Sequence, residues 1–485
     1  MTTPKSPDNI STVYDFQTAA SSKNLETKRI LKSSEFDQQR VVFGKILLND
    51  GISVTNFYTS WGFVAFLGFI MISSTTLEPE FIHRVLGVPN KDLGQATAQL
   101  YLCDYFIRLL FALGYGVMID NYGRKFVMTI GLILSSIGYL LIPALSNSLF
   151  PGYYIGKSVF SSGIIALQML PFAADYVHNS TKGIMTGFTF GVGFAGGAIA
   201  SGLIKLFIKL GYAYRTIYWV LAGIILGAGF ILRFGIKGGN EYYKIEKSEL
   251  DIEINEKNTK WQEVKQAFKE IPWIPIAVMF GILGNTDLYI MTTGLVIWIK
   301  SLVLPHQDPT EIATSFQAIF FGLSFIATAV LALKVDKIPH MRIIFPVLLF
   351  STLGFTFIPF INRTNTILMY MFFVIEGLTL PAVLVYSTYL SARYNPPRIR
   401  GTISGISNGI GFLGAILILS LGGYLHDYWR SDASFLIYWM LLFFTLIMVP
   451  TLYGIVTRNK NKRLKKTPSM EDLEENHESN KVDAN

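Results

Sequence analysis

The chain has 485 residues, of which 51% are hydrophobic, 14% are aromatic and only 15% are charged. Charged residues make up about a quarter of a typical soluble protein, so this composition excludes an ordinary soluble protein. The single cysteine, Cys103, excludes an intrachain disulfide and a cysteine metal cluster, and no cofactor is expected. Membrane topology explains the net charge of +8 better than nucleic-acid binding does, so no nucleic-acid partner is expected.

Charged residues are concentrated near the two ends of the chain, in one central stretch and in short loops. Between them lie nearly charge-free windows of about 20 residues or more, the length that crosses the hydrocarbon core of a bilayer. These windows predict an all-α membrane protein with twelve spans. In chain order the predicted spans cover residues 57–77, 98–119, 126–146, 151–175, 184–208, 214–236, 273–300, 311–334, 342–361, 366–392, 401–425 and 434–456.

The predicted spans fall into two groups of six. We expect an N-terminal six-helix bundle at 57–236 and a C-terminal six-helix bundle at 273–456. A tail at 1–56 precedes the first bundle, a linker at 237–272 joins the two, and a second tail covers 457–485.

The linker is charged and polar except for four residues, which are Trp261, Val264, Phe268 and Ile271. These residues repeat at helical spacing, which predicts one amphipathic helix along the inner membrane surface. A solvated loop is the alternative.

Loop charges predict the orientation. With the N-terminus inside, the inner loops and the linker hold most of the loop lysines and arginines, as cytoplasmic loops do. We therefore expect both termini on the cytoplasmic side. Residues 1–56 contain no apolar run of the signal-peptide type, so the first span is expected to act as the targeting signal.

Two segments of the chain repeat each other without a gap, Lys182–Gly197 and Arg400–Ala415. Each lies in the fifth span of its half. The coinciding residues are Gly183, Gly187, Gly191, Gly193, Phe194 and Gly196 in the first segment, and Gly401, Gly405, Gly409, Gly411, Phe412 and Gly414 in the second. Small residues let membrane helices approach closely. The repeat therefore predicts two pseudo-symmetric six-helix bundles, a plan that is common among secondary transporters.

The loop after the second span, Gly116–Lys125, reads G-V-M-I-D-N-Y-G-R-K. It resembles the signature of the major facilitator superfamily, G-x-x-x-D-[RK]-x-G-[RK]-[RK], from which only Asn121 departs. The equivalent loop of the second half keeps only the acid, Asp336. Span five lacks the proline of the family's antiporter motif, so antiport is not predicted.

The resemblance implies a central cavity lined chiefly by spans one, four, seven and ten, and rocking between inward-open and outward-open states. It also implies a gating set at the inner face. The residues of this set are Gly116, Asp120, Gly123, Arg124, Lys125, Asp175, Lys182 and Arg400.

Ionisable groups at membrane depth are costly and usually functional or paired. Asp104 and Arg108 lie four residues apart on span two, which predicts an ion pair within the helix. The alternative is that Arg108 faces the cavity and binds an anionic group. Lys157 is a structural base in the resemblance; the alternatives are that it extends outward to the interface or contacts substrate.

Asp287 follows Asn285 on span seven, and Glu376 lies on span ten. We expect Asp287 to hydrogen-bond with Asn285 or with a neighbouring helix unless it is functional. Since both acids lie on spans that line the cavity in the family, the sequence predicts proton coupling through Glu376 or Asp287, with Glu376 favoured. The candidate residues for substrate or proton coupling are Asp104, Arg108, Lys157, Asn285, Asp287 and Glu376.

No catalytic set is present in the sequence, and no phosphate-binding glycine loop is followed by lysine. We therefore predict that the chain is not an enzyme and is not driven by ATP. The predicted function is secondary active transport of a small solute by alternating access, with proton coupling and a monomeric protein in the bilayer. The alternative is a transporter-like receptor or complex subunit without flux. A membrane acyltransferase would need a histidine within a span, and none is predicted there.

Overall fold

The computed structural model describes residues 41–49, 51–170, 172–238, 260–271, 273–303, 307–362, 366–395 and 399–464. Most of both predicted tails, and residues 239–259 of the linker, lie outside these ranges. The described chain is built almost entirely from helices.

Six long helices form the N-terminal half. They are α1 Val54–Arg84, α2 Leu93–Tyr122, α3 Arg124–Leu145, α4 Tyr154–Gln168, α5 Lys182–Lys209 and α6 Tyr214–Gly235. Short turns of 3-10 or π helix at Asn90–Asp92, Leu149–Tyr153 and Asn179–Thr181 join some of them, and Phe172–Asp175 form one separate helical turn.

Six more long helices form the C-terminal half. They are α7 Trp273–Leu302, α8 Pro309–Ala332, α9 His340–Phe355, α10 Thr366–Tyr394, α11 Arg400–Tyr428 and α12 Ala433–Leu464. Within α7, Ile290–Gly294 form a wider π turn, and a 3-10 turn at Ile358–Phe360 follows α9. Eleven of the twelve helices are long and apolar enough to cross a membrane, which agrees with the predicted all-α membrane fold.

Two predicted spans have bounds that differ from the observed helices beside the candidate site. The span predicted at 151–175 is interrupted, because α4 ends at Gln168 and a separate turn begins at Phe172. The sequence places Pro171 between them, and a proline has no amide hydrogen for a helical bond. The span predicted at 57–77 continues to Arg84, since the helix passes through Glu78 and Pro79.

The glycines of α5 set its distance from two neighbours. A Cβ on Gly196 would meet the carbonyl oxygen of Ala65 on α1, and a Cβ on Gly187 would meet Ala332 on α8. Backbone-to-backbone contact of this kind is how helices pack tightly where lipid gives no hydrophobic drive.

The glycines of α11 do the same in the other half. A Cβ on Gly405 would lie 3.0 Å from the carbonyl oxygen of Ala112 on α2, and a Cβ on Gly414 would lie 2.6 Å from Ile282 on α7. Helices α1 and α8 around α5 therefore correspond to α7 and α2 around α11. The structure confirms the close helix packing that the repeat predicts.

One end of the helical bundle carries two small elements, and we call it the linker face. The first is a hairpin of strands β1 Val41–Val42 and β2 Ile46–Leu47, which lies in the predicted tail 1–56. The carbonyl oxygen of Leu47 accepts a hydrogen bond from the backbone of His178 at 3.0 Å. The side chain of Asn49 donates to the carbonyl oxygen of Asp175 at 2.8 Å. The hairpin is thereby tied to the loop that follows α4. The opposite end of the bundle is called the far face.

The second element is a linker helix, Lys260–Glu270, which confirms the helix predicted in this region. Val264 and Ala267 are buried against Ile274, Ile399 and Ile403. The apolar side of the linker helix therefore packs on the first turns of α7 and α11.

The glycine packing of α5 gives a test with a control in the same helix. Gly196→Ala should lower the free energy of unfolding by about 1–3 kcal/mol, because the methyl group meets a backbone oxygen that cannot move aside. Gly202 has open space where its Cβ would be, so Gly202→Ala should be neutral or slightly stabilising. Thermal unfolding of both variants in detergent measures the difference, and equal melting temperatures would contradict the close contact.

Candidate functional site

A narrow cavity lies between the two halves, midway along the helices. It is lined by residues of α1, α2, α4 and α7, which are Met71, Ser74, Thr75, Tyr101, Tyr105, Arg108, Phe160, Leu288 and Tyr289. Four spans were expected to line the cavity, and three of them, spans one, four and seven, do so. Span ten contributes no lining residue among the described ones, and α2 takes part instead.

Arg108 is the charged residue of this lining. Its Nη2 lies 2.9 Å from Oδ2 of Asp104, and its Nε lies 3.2 Å from Oδ1. Ser161 of α4 also donates to the Asp104 carboxylate. The predicted ion pair within α2 is thus confirmed, and the same arginine faces the cavity.

Lys157 forms a second buried ion pair, with Glu78 of α1. Its Nζ lies 2.8 Å from Oε1 of Glu78, and the two side chains are only 2% and 0% exposed. The hydroxyl of Tyr153 donates to the same oxygen at 3.0 Å. The alternative that Lys157 extends outward to the interface is therefore wrong, because its ammonium group points into the bundle.

Sequence reasoning missed Glu78 and Glu80, because the predicted first span stopped at residue 77. Glu80 is 1% exposed and forms ion pairs with Lys300 and Arg84. A usable signal was present in the sequence. A lysine buried in a span needs an acid nearby, and Glu78 and Glu80 follow the first apolar window directly.

Glu376 lies inside the C-terminal half rather than on the cavity. Its Oε2 accepts a hydrogen bond from Ser351 of α9 at 2.7 Å, and its carboxyl group lies against Gly354. Asp287 of α7 is near enough to Glu376 to interact with it electrostatically. One oxygen of each carboxyl group, Oε1 of Glu376 and Oδ1 of Asp287, accepts no hydrogen bond from the described residues.

Asn285 does not bond to Asp287, as one alternative proposed. Its Nδ2 donates to the carbonyl oxygen of Gly281 at 2.8 Å. Its own carbonyl oxygen accepts a hydrogen bond from Tyr105 of α2 at 2.9 Å. Asn285 therefore joins the two halves through its backbone, beside the cavity.

The predicted gating residues lie at the linker face. Arg124 and Asp175 form an ion pair of 2.7 Å between α3 and the turn after α4. Gly123 has a φ of 88°, a conformation that glycine adopts without strain. Gly116 lies on α2 and Lys125 on the first turn of α3. The side chains of Asp120 and Arg400 lie outside the described part of the structure.

Contacts from Lys182 and Asp336 join the halves at the linker face. The Nζ of Lys182 lies 3.4 Å from the carbonyl oxygen of Ala392 on α10. Oδ2 of Asp336 accepts a hydrogen bond from the backbone of Ile184 at 3.2 Å. Burial raises the pKa of Asp336 above its usual value, and hydrogen bonding with Tyr389 and the charge of Arg393 oppose that rise.

The halves are also joined at the far face. Glu80 of α1 pairs with Lys300 of α7. Oδ2 of Asp427, at the end of α11, accepts a hydrogen bond from the backbone of Gln95 at 2.6 Å. Contacts between the halves therefore lie on both sides of the cavity.

Comparison with known proteins supports the same architecture. The sequence model of the family described as Major Facilitator Superfamily matches residues 52–418. The chain is also similar to the magnetosome protein MamH of Paramagnetospirillum magneticum. The two are 23% identical over 376 residues, which cover 74% of this chain and 83% of that protein.

Solved structures share the fold at low identity. The proton:xylose symporter XylE, bound to 6-bromo-6-deoxy-D-glucose, has a TM-score of 0.62 and 14% identity, covering 82% of this chain and 95% of that one. XylE comes from E. coli. The human organic anion transporter MFSD10 has a TM-score of 0.57 and 12% identity, covering 82% of this chain and all of its own. These likenesses support twelve helices in two bundles.

The Lys157–Glu78 pair gives a test of internal charge balance. Glu78→Gln should cost about 3–5 kcal/mol of unfolding free energy, because it leaves a buried lysine without its acid. Removing both charges in Glu78→Gln/Lys157→Gln should restore much of that loss. The exposed Lys209–Glu311 pair provides the control, since Glu311→Gln should change stability by about 1 kcal/mol or less. Thermal unfolding of Glu78→Gln, Lys157→Gln and the double variant measures these effects. If the double variant loses as much stability as the two single variants together, the buried pair is contradicted.

Asp336 gives a pH test of the linker face. Its pKa is raised while this face is closed and should return toward its usual value once water reaches it. The closed face then binds the proton more tightly, so falling pH should favour closure and rising pH should favour opening. Distances between spin labels at positions 122 and 333, in a Cys103→Ser background, report this from about pH 8 down to about pH 4, near the usual pKa of an aspartate. Asp336→Asn should remove the dependence, and a dependence that survives in that variant would assign it to another group.

Proposed function

The chain belongs to the major facilitator superfamily and is a multi-pass secondary transporter, and we propose that it couples the movement of a small solute to protons. The movement of a solute is supported by one observation, the central cavity, which has contacts between the two halves on both of its sides. These contacts are hydrogen bonds and ion pairs, which can break and form again at one face at a time. Such a cavity supports alternating access.

Two buried acids support proton coupling. Glu376 and Asp287 lie in the interior of the C-terminal half, and neither forms an ion pair within the described residues. A carboxylate buried without a cation is costly unless it carries a proton. Release of that proton requires water, which could reach the site if α9 moved away from Glu376 during opening. XylE, a protein of the same fold, is described as a proton symporter.

The loop charges support an orientation with both termini in the cytoplasm. The two halves together enclose the cavity within one chain, so we propose that the monomer is the functional unit.

Glu376→Gln tests the coupling. In proteoliposomes with internal pyranine, a panel of candidate solutes is scored for uptake and for a change of internal pH. The variant should lose accumulation driven by a pH gradient and keep exchange of solute across the membrane, because a glutamine cannot release a proton. Asp287→Asn is measured alongside. The matched control with unchanged transport is Asp432→Asn, whose carboxylate pairs with Arg430 in the same loop of the C-terminal half.

If both the Glu376 and Asp287 variants accumulate solute to the wild-type level under a pH gradient, coupling through these acids is refuted. A wild-type protein that carries no solute of the panel in either direction would favour the alternative of a receptor or complex subunit without flux.

A further inference from the structure

We propose that the central cavity binds an organic monocarboxylate, with its carboxylate group on Arg108. This inference rests on the proposed function, because it names the substrate class of the same cavity. It follows from three features of the lining, which are the free edge of a buried guanidinium, the lack of other available polar groups, and the aromatic walls.

The guanidinium of Arg108 is fixed by Asp104, and both N–H groups of its Nη1 remain without a partner among the described residues. Its side chain is 5% exposed. Nε and Nη2 are occupied by Asp104, whereas Nη1 donates to no residue that the structure describes. Asp104 lies behind the arginine and is absent from the lining. The edge that carries Nη1 is therefore available to a ligand in the cavity.

The charges around this edge favour an anion. Asp104 is engaged by both Arg108 and Ser161, so its negative charge is already compensated. A cationic ligand would meet the guanidinium first and would be repelled. A carboxylate would accept a charge-assisted hydrogen bond from Nη1, which is about twice as strong as a bond to a neutral acceptor.

A polyhydroxylated ligand fits this lining poorly. It would need several hydrogen-bonding side chains, but the hydroxyls of two of the three lining tyrosines are already hydrogen-bonded. The hydroxyl of Tyr101 is hydrogen-bonded to that of Thr293 at 2.6 Å, and the hydroxyl of Tyr105 donates to Asn285. Ser74 donates to the carbonyl oxygen of Met71 at 3.0 Å. Few polar groups therefore remain for a neutral, highly polar solute.

The rest of the lining suits an apolar or aromatic body. The rings of Tyr101, Phe160 and Tyr289, with the side chains of Met71 and Leu288, line the same narrow space. Aromatic rings contact one another favourably through their edges and faces. In this closed conformation the cavity has a volume of about 10 Å³, enough for about one water, so a ligand enters only once the lining side chains have moved apart. A small carboxylate with a planar, apolar body would then place its charge at Arg108 and its body among these side chains.

Benzoate is the probe for this site, and binding to purified protein in detergent is measured by calorimetry and by the shift in melting temperature. Benzamide has the same shape without the charge, benzylamine carries the opposite charge, and D-xylose represents a polyol. Benzoate should bind at least about tenfold more tightly than benzamide, with no binding of benzylamine. Binding of D-xylose or benzylamine without binding of benzoate would overturn the proposal.

Variants of the ion pair locate the contact. Arg108→Gln should weaken benzoate binding roughly 10- to 100-fold. Because that change leaves Asp104 unpaired, Asp104→Asn/Arg108→Gln removes both charges and keeps the fold testable. The control is Arg233→Gln on α6, whose guanidinium bonds to Thr129 away from the cavity. Wild-type affinity for benzoate in the folded double variant would overturn the assignment.

The binding assay needs no flux, so it separates this inference from the proposed function. Benzoate binding that depends on Arg108 in a protein without proton-coupled uptake would uphold the site and refute the coupling. Proton-coupled uptake by a protein that does not bind benzoate would uphold the coupling and refute the site.

Discussion

The structure depends on one constraint, which is that a charge inside the membrane must find its partner within the protein. Lipid offers neither water nor counter-ions, and an unpaired charge at that depth is costly. The N-terminal half meets the constraint with two buried pairs, Arg108 with Asp104 and Lys157 with Glu78. Both pairs connect to α4, since Ser161 donates to Asp104 and Lys157 lies on that helix. Charge pairing therefore helps to hold α1, α2 and α4 together beside the cavity.

The two halves are alike in packing and different in charge. Glycines of α5 and α11 make equivalent close contacts with their neighbours, as expected for two copies of one ancestral unit. The buried acids of the C-terminal half, Asp287 and Glu376, lack such basic partners within the described residues. The same scaffold thus combines a charge-balanced half that carries the cavity-facing arginine with a half in which protonation can compensate the charge. Under the function proposed above, that division would give separate places to solute and proton.

Much of this architecture could be predicted from the sequence because it depends on local or repeated sequence patterns. Apolar windows predicted the spans, the glycine repeat predicted the close packing, and spacing by four predicted the Asp104–Arg108 pair. The Lys157–Glu78 pair could not be predicted in this way, since it joins residues far apart in sequence on two different helices. The burial of Glu376 away from the cavity could not be predicted either, because α10 is apolar on nearly all sides and its sequence does not reveal which side meets the cavity. The hairpin was missed because its strands are only two residues long.

At both faces, an aspartate of the C-terminal half accepts hydrogen bonds from the start of a helix in the N-terminal half. At the linker face, Asp336 of the C-terminal half accepts from the backbone at the start of α5, where the helix has no side-chain cap of its own. At the far face, Asp427 accepts from the backbone at the start of α2, which likewise lacks a local cap. A helix start carries unpaired amide groups and a partial positive charge, so a carboxylate there is stabilising. Opening either face exposes one helix start to water while the other stays capped, so a transporter that opens one face at a time never gives up both caps together.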